Sequence, residues 1–320
     1  MTERPRVRGP ASYAGLRKGA CGIREFFLYS VQEGLLFGIL ALGVFITFRC
    51  LNFPDLTVDG SYPLGAAVFA LMMYRGYGPI AGVVGALAAG ALAGLFTGVL
   101  HTFSRIPALL SGILTMICLY SINLRIMGRP NISLSENLGH RTIFVILRDA
   151  FPTVPEVYVR FLFLFALLVV LKFLLDAFLQ TEIGLSIRAT GDNETLVATQ
   201  GINPDDMKLI GISLSNALVA LSGAMFAQYQ SFVDINMGIG MVISGLASVI
   251  VGEVLLRGKT IFVMTLQVIV GSVVYRLATA VALNWGYSIG FKPYDLKLFT
   301  GILVIVILSF PVLKEKFGKA

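Results

Sequence analysis

Two carboxylates stand four residues apart between long apolar stretches. They are Asp55 and Asp59, in the segment Asn52-Phe-Pro-Asp-Leu-Thr-Val-Asp-Gly-Ser-Tyr-Pro63. Acids in such a setting can accept hydrogen bonds from backbone amides that a broken helix leaves free. They can also bind a proton or cation, or contact a cationic group of a solute. The spacing would place both on one face of a helix. Pro54 is compatible with a helix start near Asp55, and Pro63 disfavours helical geometry at Tyr62, so a partly unwound turn is expected rather than a regular helix. Thr57 and Ser61 offer hydroxyls to the same carboxylates. Holding the broken segment together is the favoured role for the acids, and contact with a solute is the second. Asn123, Asn216, Gln228 and Glu253 are further polar residues beside apolar runs. Taken singly, each is more often a hydrogen-bonding link between helices than a ligand contact.

Other reactive constellations are missing from the sequence. Gly258-Lys259-Thr260 invites a phosphate-loop reading, but the pattern needs glycine where Glu253 stands, and the segment joins two apolar runs with no preceding strand. The histidines, His101 and His140, have no partner motif. Cys21, Cys50 and Cys118 are odd in number and far apart. No metal site or disulfide framework is therefore expected. Asn131-Ile-Ser133 and Asn193-Glu-Thr195 match glycosylation sequons, a pattern too short to carry weight. With no Ser/His/Asp or Cys/His grouping, the chain is expected to be no enzyme and to hold neither catalytic residue, metal nor cofactor.

The elements that position the acids follow from composition. The chain has 320 residues, of which 56% are apolar and 13% charged, with 34 glycines. Soluble domains carry about 25% charged residues. Mean hydropathy is +0.83, so the solvent is a bilayer. Apolar runs fall near 28–48, 59–74, 79–100, 106–127, 160–180, 208–229, 239–256, 261–282 and 296–313, the second of them short. Lipid leaves no backbone group bare, so continuous runs are helices. The expected fold is all-α, a polytopic membrane helix bundle of about eight to ten transmembrane helices, with a broken or re-entrant element near 49–63. Residues 1–27 form a basic N-terminal arm without a cleavage site, 28–313 the membrane domain, and 314–320 a basic tail. In the third run Gly82, Ala86, Gly90, Gly94 and Gly98 recur every four residues, which lets another helix approach closely.

The stretch from Thr181 to Pro204 is polar yet keeps apolar residues at Ile183, Leu185, Ile187, Leu196 and Val197. Asp192 can cap a short helix beginning near Asn193, with Glu194 in its first turn. Gly201 would end it and Pro204 bar its continuation. Such a helix between two membrane helices suits docking to a partner; a merely solvated loop is the alternative that the residues alone leave open.

At this stretch a family resemblance becomes specific. It resembles the cytoplasmic loop of ABC-importer permeases that carries the coupling helix, most closely in the branched-chain amino acid permease family and, within it, the tryptophan/tyrosine-type permeases. Four blocks carry the resemblance: Gly38 to Arg49 with Phe53-Pro-Asp-Leu-Thr-Val-Asp-Gly60, Leu119 to Gly128 with Pro130-Asn131, Gly184 to Asn203, and Ser215 to Gly223 through Asp234 to Gly240. It spans about 28–310, leaving the basic arm outside. It implies a permease subunit of an ATP-driven importer, multi-pass in the bacterial plasma (inner) membrane, for an amino acid (an aromatic one among the options) or a similar small solute. Implied partners are an ABC ATPase subunit holding ATP and Mg, an extracytoplasmic substrate-binding protein that makes most of the solute choice, and a second permease chain, as in a homodimer. The lipid bilayer surrounds it. Nucleic acid is not an expected partner, because surplus Lys and Arg, here a net +7, report topology in a membrane protein. Residues 181–207 become the cytoplasmic coupling loop, with Glu182, Gly184, Arg188, Gly191, Asp192, Asn193 and Glu194 facing the ATPase. Asp55, Thr57, Asp59, Asn123, Asn216 and Asp234 are the residues expected along the solute pathway.

Topology carries one conflict. A cytoplasmic 181–207 puts Arg257, Lys259, Lys314, Lys316 and Lys319 inside, as the positive-inside rule prefers. Counting back through five plain crossings then leaves the basic N-terminus outside. A re-entrant or broken crossing at 49–63 would resolve this, and so would an outside basic arm. The competing functions are an ion-coupled secondary transporter using Asp55 and Asp59 and a non-transporting membrane scaffold, which broken polar elements disfavour.

Overall fold

The structure is a computed structural model. It describes residues 20–134 and 141–288, with Leu298, Gly301, Ile302 and Ile305 beyond them. Most of the basic arm, most of the run at 296–313 and the 314–320 tail lie outside the described residues.

Helix α1 (Ala20–Phe45) runs on through a π-helical turn, Ile46–Cys50. After an irregular stretch come α2 (Val58–Tyr74), α3 (Pro79–Thr102) and α4 (Ala108–Met127). Pro79 at the first position of α3 and the left-handed Gly128 after α4 mark their ends. Strand β1 (Asn131–Ser133) and α5 (Ile143–Ala150) lead into α6 (Glu156–Gln180). Two short helices, α7 (Glu182–Asp192) and α8 (Glu194–Thr199), precede α9 (Pro204–Gln230). Strand β2 (Phe232–Asp234), a 3-10 turn, α10 (Met241–Leu255) and α11 (Ile261–Ser288) follow. The strands pair antiparallel, Ile132 opposite Val233. Seven helical segments among the described residues are long and apolar enough to cross a bilayer. Helix α2 has 17 residues, about 25 Å at 1.5 Å per residue, and its crossing is completed by the non-helical residues before it. The all-α polytopic expectation holds.

Helices α1 and α9 form the centre and are buried along most of their length, whereas α3, α4 and α6 turn broad apolar faces outward. The small-residue row of α3 faces α9. Gly90 lies against the backbone of Asn216, Gly94 against that of Ile212 and Gly98 against Leu209. A methyl group at Gly90 or Gly94 would overlap that backbone, so glycine sets the interhelical distance.

The two ends of the bundle can be told apart. Gln32, midway along α1, donates to the carbonyl of Val157 at the start of α6 (2.7 Å), while Cys50 beyond the far end of α1 packs against Gly191 of α7, which follows the end of α6. Arg105 after α3 pairs with Asp205 at the start of α9 (3.3 Å). So α1, α3 and α6 end, and α4 and α9 begin, at the α7 end. Residues 51–57 with α2 make one complete broken crossing and do not return to the side they left. The five-crossing count therefore stands, and α1 starts at the end opposite α7.

Candidate functional site

Two groups of residues stand apart from ordinary helix packing. The first is the broken crossing. Leu51 and Phe53 donate to the carbonyls of Ile46 (3.0 Å) and Thr47 (2.8 Å), closing the end of α1, and Asn52 takes a left-handed φ of 51°. The chain then turns inward at Pro54. Asp55 is fully buried. Its Oδ1 accepts from the amide of Thr57 (2.8 Å) and its Oδ2 from Asn216 Nδ2 on α9 (2.7 Å). Asn216 Oδ1 in turn accepts from the Ser61 hydroxyl (2.6 Å). The Thr57 hydroxyl meets that of Thr97 on α3 (2.7 Å), and Asn123 on α4 donates to the carbonyl of Gly60 (3.1 Å). Helix α4 can come this close because residue 112 is glycine; a Cβ there would stand 2.8 Å from the Leu56 amide nitrogen.

Asp59 does something different. Its carboxylate accepts from the amides of Gly240 (3.0 Å) and Val242 (2.9 Å) at the start of α10. It caps that helix from across the bundle, and a negative charge at a helix N-terminus is favoured by the dipole. The two acids therefore do not share one face. Asp55 holds its own segment to α9, and Asp59 holds α2 to α10. The partly unwound turn expected near Pro63 is absent, since α2 is helical from Val58 through Pro63 to Tyr74. The unwound stretch lies before Val58. Pro63 cannot donate to the carbonyl of Asp59, and Gly238 packs directly against that carbonyl and the proline ring, a contact only a residue without Cβ permits.

Of the residues expected along the pathway, Asp55, Thr57, Asp59, Asn123 and Asn216 converge on this crossing. Asp234 does not. It sits in β2, where its Oδ1 accepts from the Asn236 amide (2.7 Å) and its Oδ2 lies 3.5 Å from Asn131 Nδ2. Ser61 and Thr97 complete the network. Thr97 was not legible as a site residue in the sequence, because its partner is 40 positions away.

The second group is the segment beyond the membrane end of α6. Two helices stand where one was expected. Thr181 caps α7, accepting from the Gly184 amide (3.3 Å). Gly184 packs on the backbone of Leu179 and Gly191 on that of Cys50. The second cap is Asn193, whose Oδ1 accepts from the Leu196 amide (3.0 Å). Asp192 instead ends α7. Asn and Asp are near-equal caps, and the chain uses the one that is already extended (φ −158°). Ile187 and Val197 are buried, whereas Ile183, Leu185 and Leu196 are exposed. Glu182, Asp192 and Glu194 are exposed beside them and Arg188 is half-buried. Glu194 pairs with Lys208 of α9 (2.7 Å), tying α8 to the helix that carries Asn216.

One ion pair went unread in the sequence. Lys172 and Asp176 on α6 pair while buried, and Asp176 also accepts from the Thr265 hydroxyl of α11 (2.6 Å). The four-residue spacing in an apolar run was the available signal. Among the described residues no group of three or more His, Cys, Asp or Glu converges on a point that could hold a metal ion.

Comparison with known proteins meets this geometry. The family model described as branched-chain amino acid transport system / permease component matches residues 26–308. A tyrosine transport system permease protein of Clostridioides difficile (strain R20291) is 40% identical over 87% of this chain and 89% of its own. An uncharacterized protein of Rickettsia prowazekii (strain Madrid E) is 34% identical over 89% of this chain and 97% of its own. A more distant relative, the autoinducer 2 import system permease protein LsrC of Yersinia pseudotuberculosis, is 27% identical over 69% of this chain and 60% of its own. No solved structure matches the chain. The matched region takes in both the broken crossing and α7–α8, and the chain belongs to the permease-component family of branched-chain amino acid transport systems, multi-pass membrane permeases of ABC type.

Proposed function

We propose that the chain is the membrane subunit of an ATP-driven importer for an amino acid, with an aromatic one the first to test. ATP and Mg are held by a separate ATPase, and an extracytoplasmic protein delivers the solute to a pair of identical permease chains. The observation that carries this reading is the α7–α8 pair. It exposes Ile183, Leu185 and Leu196 beyond the membrane end of the bundle while glycine contacts and the Glu194–Lys208 pair bind it to the bundle. An exposed apolar set on a rigid base suits a docked partner. The tyrosine in the relative's name motivates the aromatic solute.

Movement of the docked ATPase would be handed from α8 to α9 through Glu194–Lys208. It would reach Asp55 and α2 through Asn216 and then α10 through Asp59. Closing of the ATPase dimer would then shift the bundle between outward and inward access, driven by its different affinity for the two states. Glu182, Gly184, Arg188, Gly191, Asp192, Asn193 and Glu194 belong to the docking segment on this reading. Asp55, Thr57, Asp59, Asn123 and Asn216 form the hinge of the pathway rather than a solute cage, and Asp234 supports the outer rim. At that rim Arg75, Arg125 and Arg129 are exposed, which favours an acidic face on the delivering protein. The test is co-purification of the chain with its ATPase, followed by hydrolysis assays. ATP hydrolysis stimulated by the loaded binding protein supports the reading. Stable solute uptake without any ATPase defeats it.

A further inference from the structure

A cavity of about 320 Å³ opens beside α7, between the ends of α1 and α6 and the start of α11. Its walls are apolar, formed by Phe45, Leu179, Ile261 and Met264, and its rim carries Arg49 and Arg188. All four walls sit at helix ends, which places the cavity at the membrane–water boundary. The volume lies at the lower end of small-molecule sites, about 300–1,000 Å³. Arg188 Nε is buried without a hydrogen-bond partner, and its guanidinium makes no ion pair with a described residue. Asp192, four residues on, also lines the cavity but is exposed and does not pair with it. Arg49 is held by Glu253 at 2.8 Å, yet its side chain is half exposed. Ile261 and Met264 belong to the first turn of α11, whose dipole favours an anion. Arg257 and Lys259 stand exposed in the turn before it.

We propose that this cavity binds one phospholipid of the adjoining leaflet, with the phosphate on Arg188 and the upper acyl chain along the apolar walls. A planar guanidinium left unpaired at the membrane boundary matches a phosphodiester through paired N–H donors. Apolar walls beside the guanidinium match a lipid rather than a free ion. Basic pockets between membrane helices take headgroups by the same physics. The site would make the seating of α7 depend on lipid. That the leaflet is the cytoplasmic one rests on the function proposed above. The binding itself does not, and it is tested without ATPase, binding protein or transport.

The test is native mass spectrometry of the full chain purified in mild detergent with a mixture of phosphatidylethanolamine and phosphatidylglycerol. The wild type should retain one more phospholipid per chain than either Arg188→Gln or Met264→Trp, with affinity for that lipid falling by about tenfold or more, as for loss of a charge-assisted bond. Arg188→Lys, which keeps the charge but loses the paired donors, should fall between the wild type and Arg188→Gln, and inorganic phosphate should not displace the lipid. Equal lipid retention in the wild type and Met264→Trp overturns the proposal, even if Arg188→Gln fails to fold. Displacement by inorganic phosphate alone also overturns it, because the site is then an ion site.

Discussion

The Asp55–Asn216 hydrogen bond joins the broken crossing to the central helix, and its strength can be measured. Removing Asn216 by substitution with alanine takes one of two donors from a buried carboxylate and leaves the Ser61 hydroxyl without its acceptor. A hydrogen bond to a charged group contributes about 1.5–3 kcal/mol in soluble proteins. Polar links between membrane helices average about 0.6 kcal/mol and reach about 1.7, because the unfolded chain in lipid also finds partners. Asp55 is fully buried in its folded site, which places this link near the upper membrane value. We expect a double-mutant cycle of Asp55→Ala and Asn216→Ala to give a coupling of about 1.5 kcal/mol. The assay is reversible unfolding of the purified chain in mixed micelles, with each single variant matched for helical content. A coupling under about 0.3 kcal/mol would refute the idea that this bond carries force between α9 and α2, since it would be within the scatter of independent sites.

Other expectations follow from the same contacts. Asp59→Asn keeps one acceptor for the start of α10 and should preserve assembly and most transport. Asp59→Leu strands two amides and should destabilise by about 2–4 kcal/mol; if the asparagine variant assembles and supports ATP hydrolysis normally but abolishes uptake, the charge itself is required and the capping role is insufficient. Gly65→Ala would drive a methyl into the backbone of Ala220, whereas Gly85→Ala would meet only the flexible Met72 and Val68 side chains. Unfolding of the pair should show a loss of about 1–3 kcal/mol for the first and little for the second. Leu185→Glu and Leu196→Glu lie on exposed positions and should leave the fold intact while weakening ATPase association at least tenfold, read by pull-down titration. Cysteines placed at 188–197 should label from the cytoplasmic face, and labelling confined to the other face would reverse the topology.

Much of this fold was legible because lipid restricts the options. Continuous apolar runs must be helices there, so the run at 79–100 marks α3 and that at 208–229 marks α9 within a few residues. Pro204, read as barring the preceding short helix, does so by opening α9 behind the Asn203 cap, four residues before the apolar run begins. Local rules failed where distant partners decide. Pro63 argued for a break, but Gly238, far along the chain, packs against the carbonyl the proline leaves without a donor. Asp55 and Asp59 looked like a matched pair, yet apart from the Thr57 amide beside Asp55 their hydrogen-bond partners lie 161 and about 180 residues away, on α9 and before and within α10. No spacing in the segment itself separates those roles. Adjacent Asp192 and Asn193 were equally good caps by type, and only the backbone conformation chose between them.

The energy source is the central claim, and uptake into proteoliposomes addresses it directly. Vesicles holding the chain with its ATPase, given the loaded binding protein outside, should accumulate solute only when ATP and Mg reach the ATPase side. Imposed proton or sodium gradients should add nothing. Accumulation driven by an ion gradient in vesicles that contain this chain alone, and lost on Asp55→Asn or Asp59→Asn, would contradict the ATP-driven reading and assign the two acids to ion coupling.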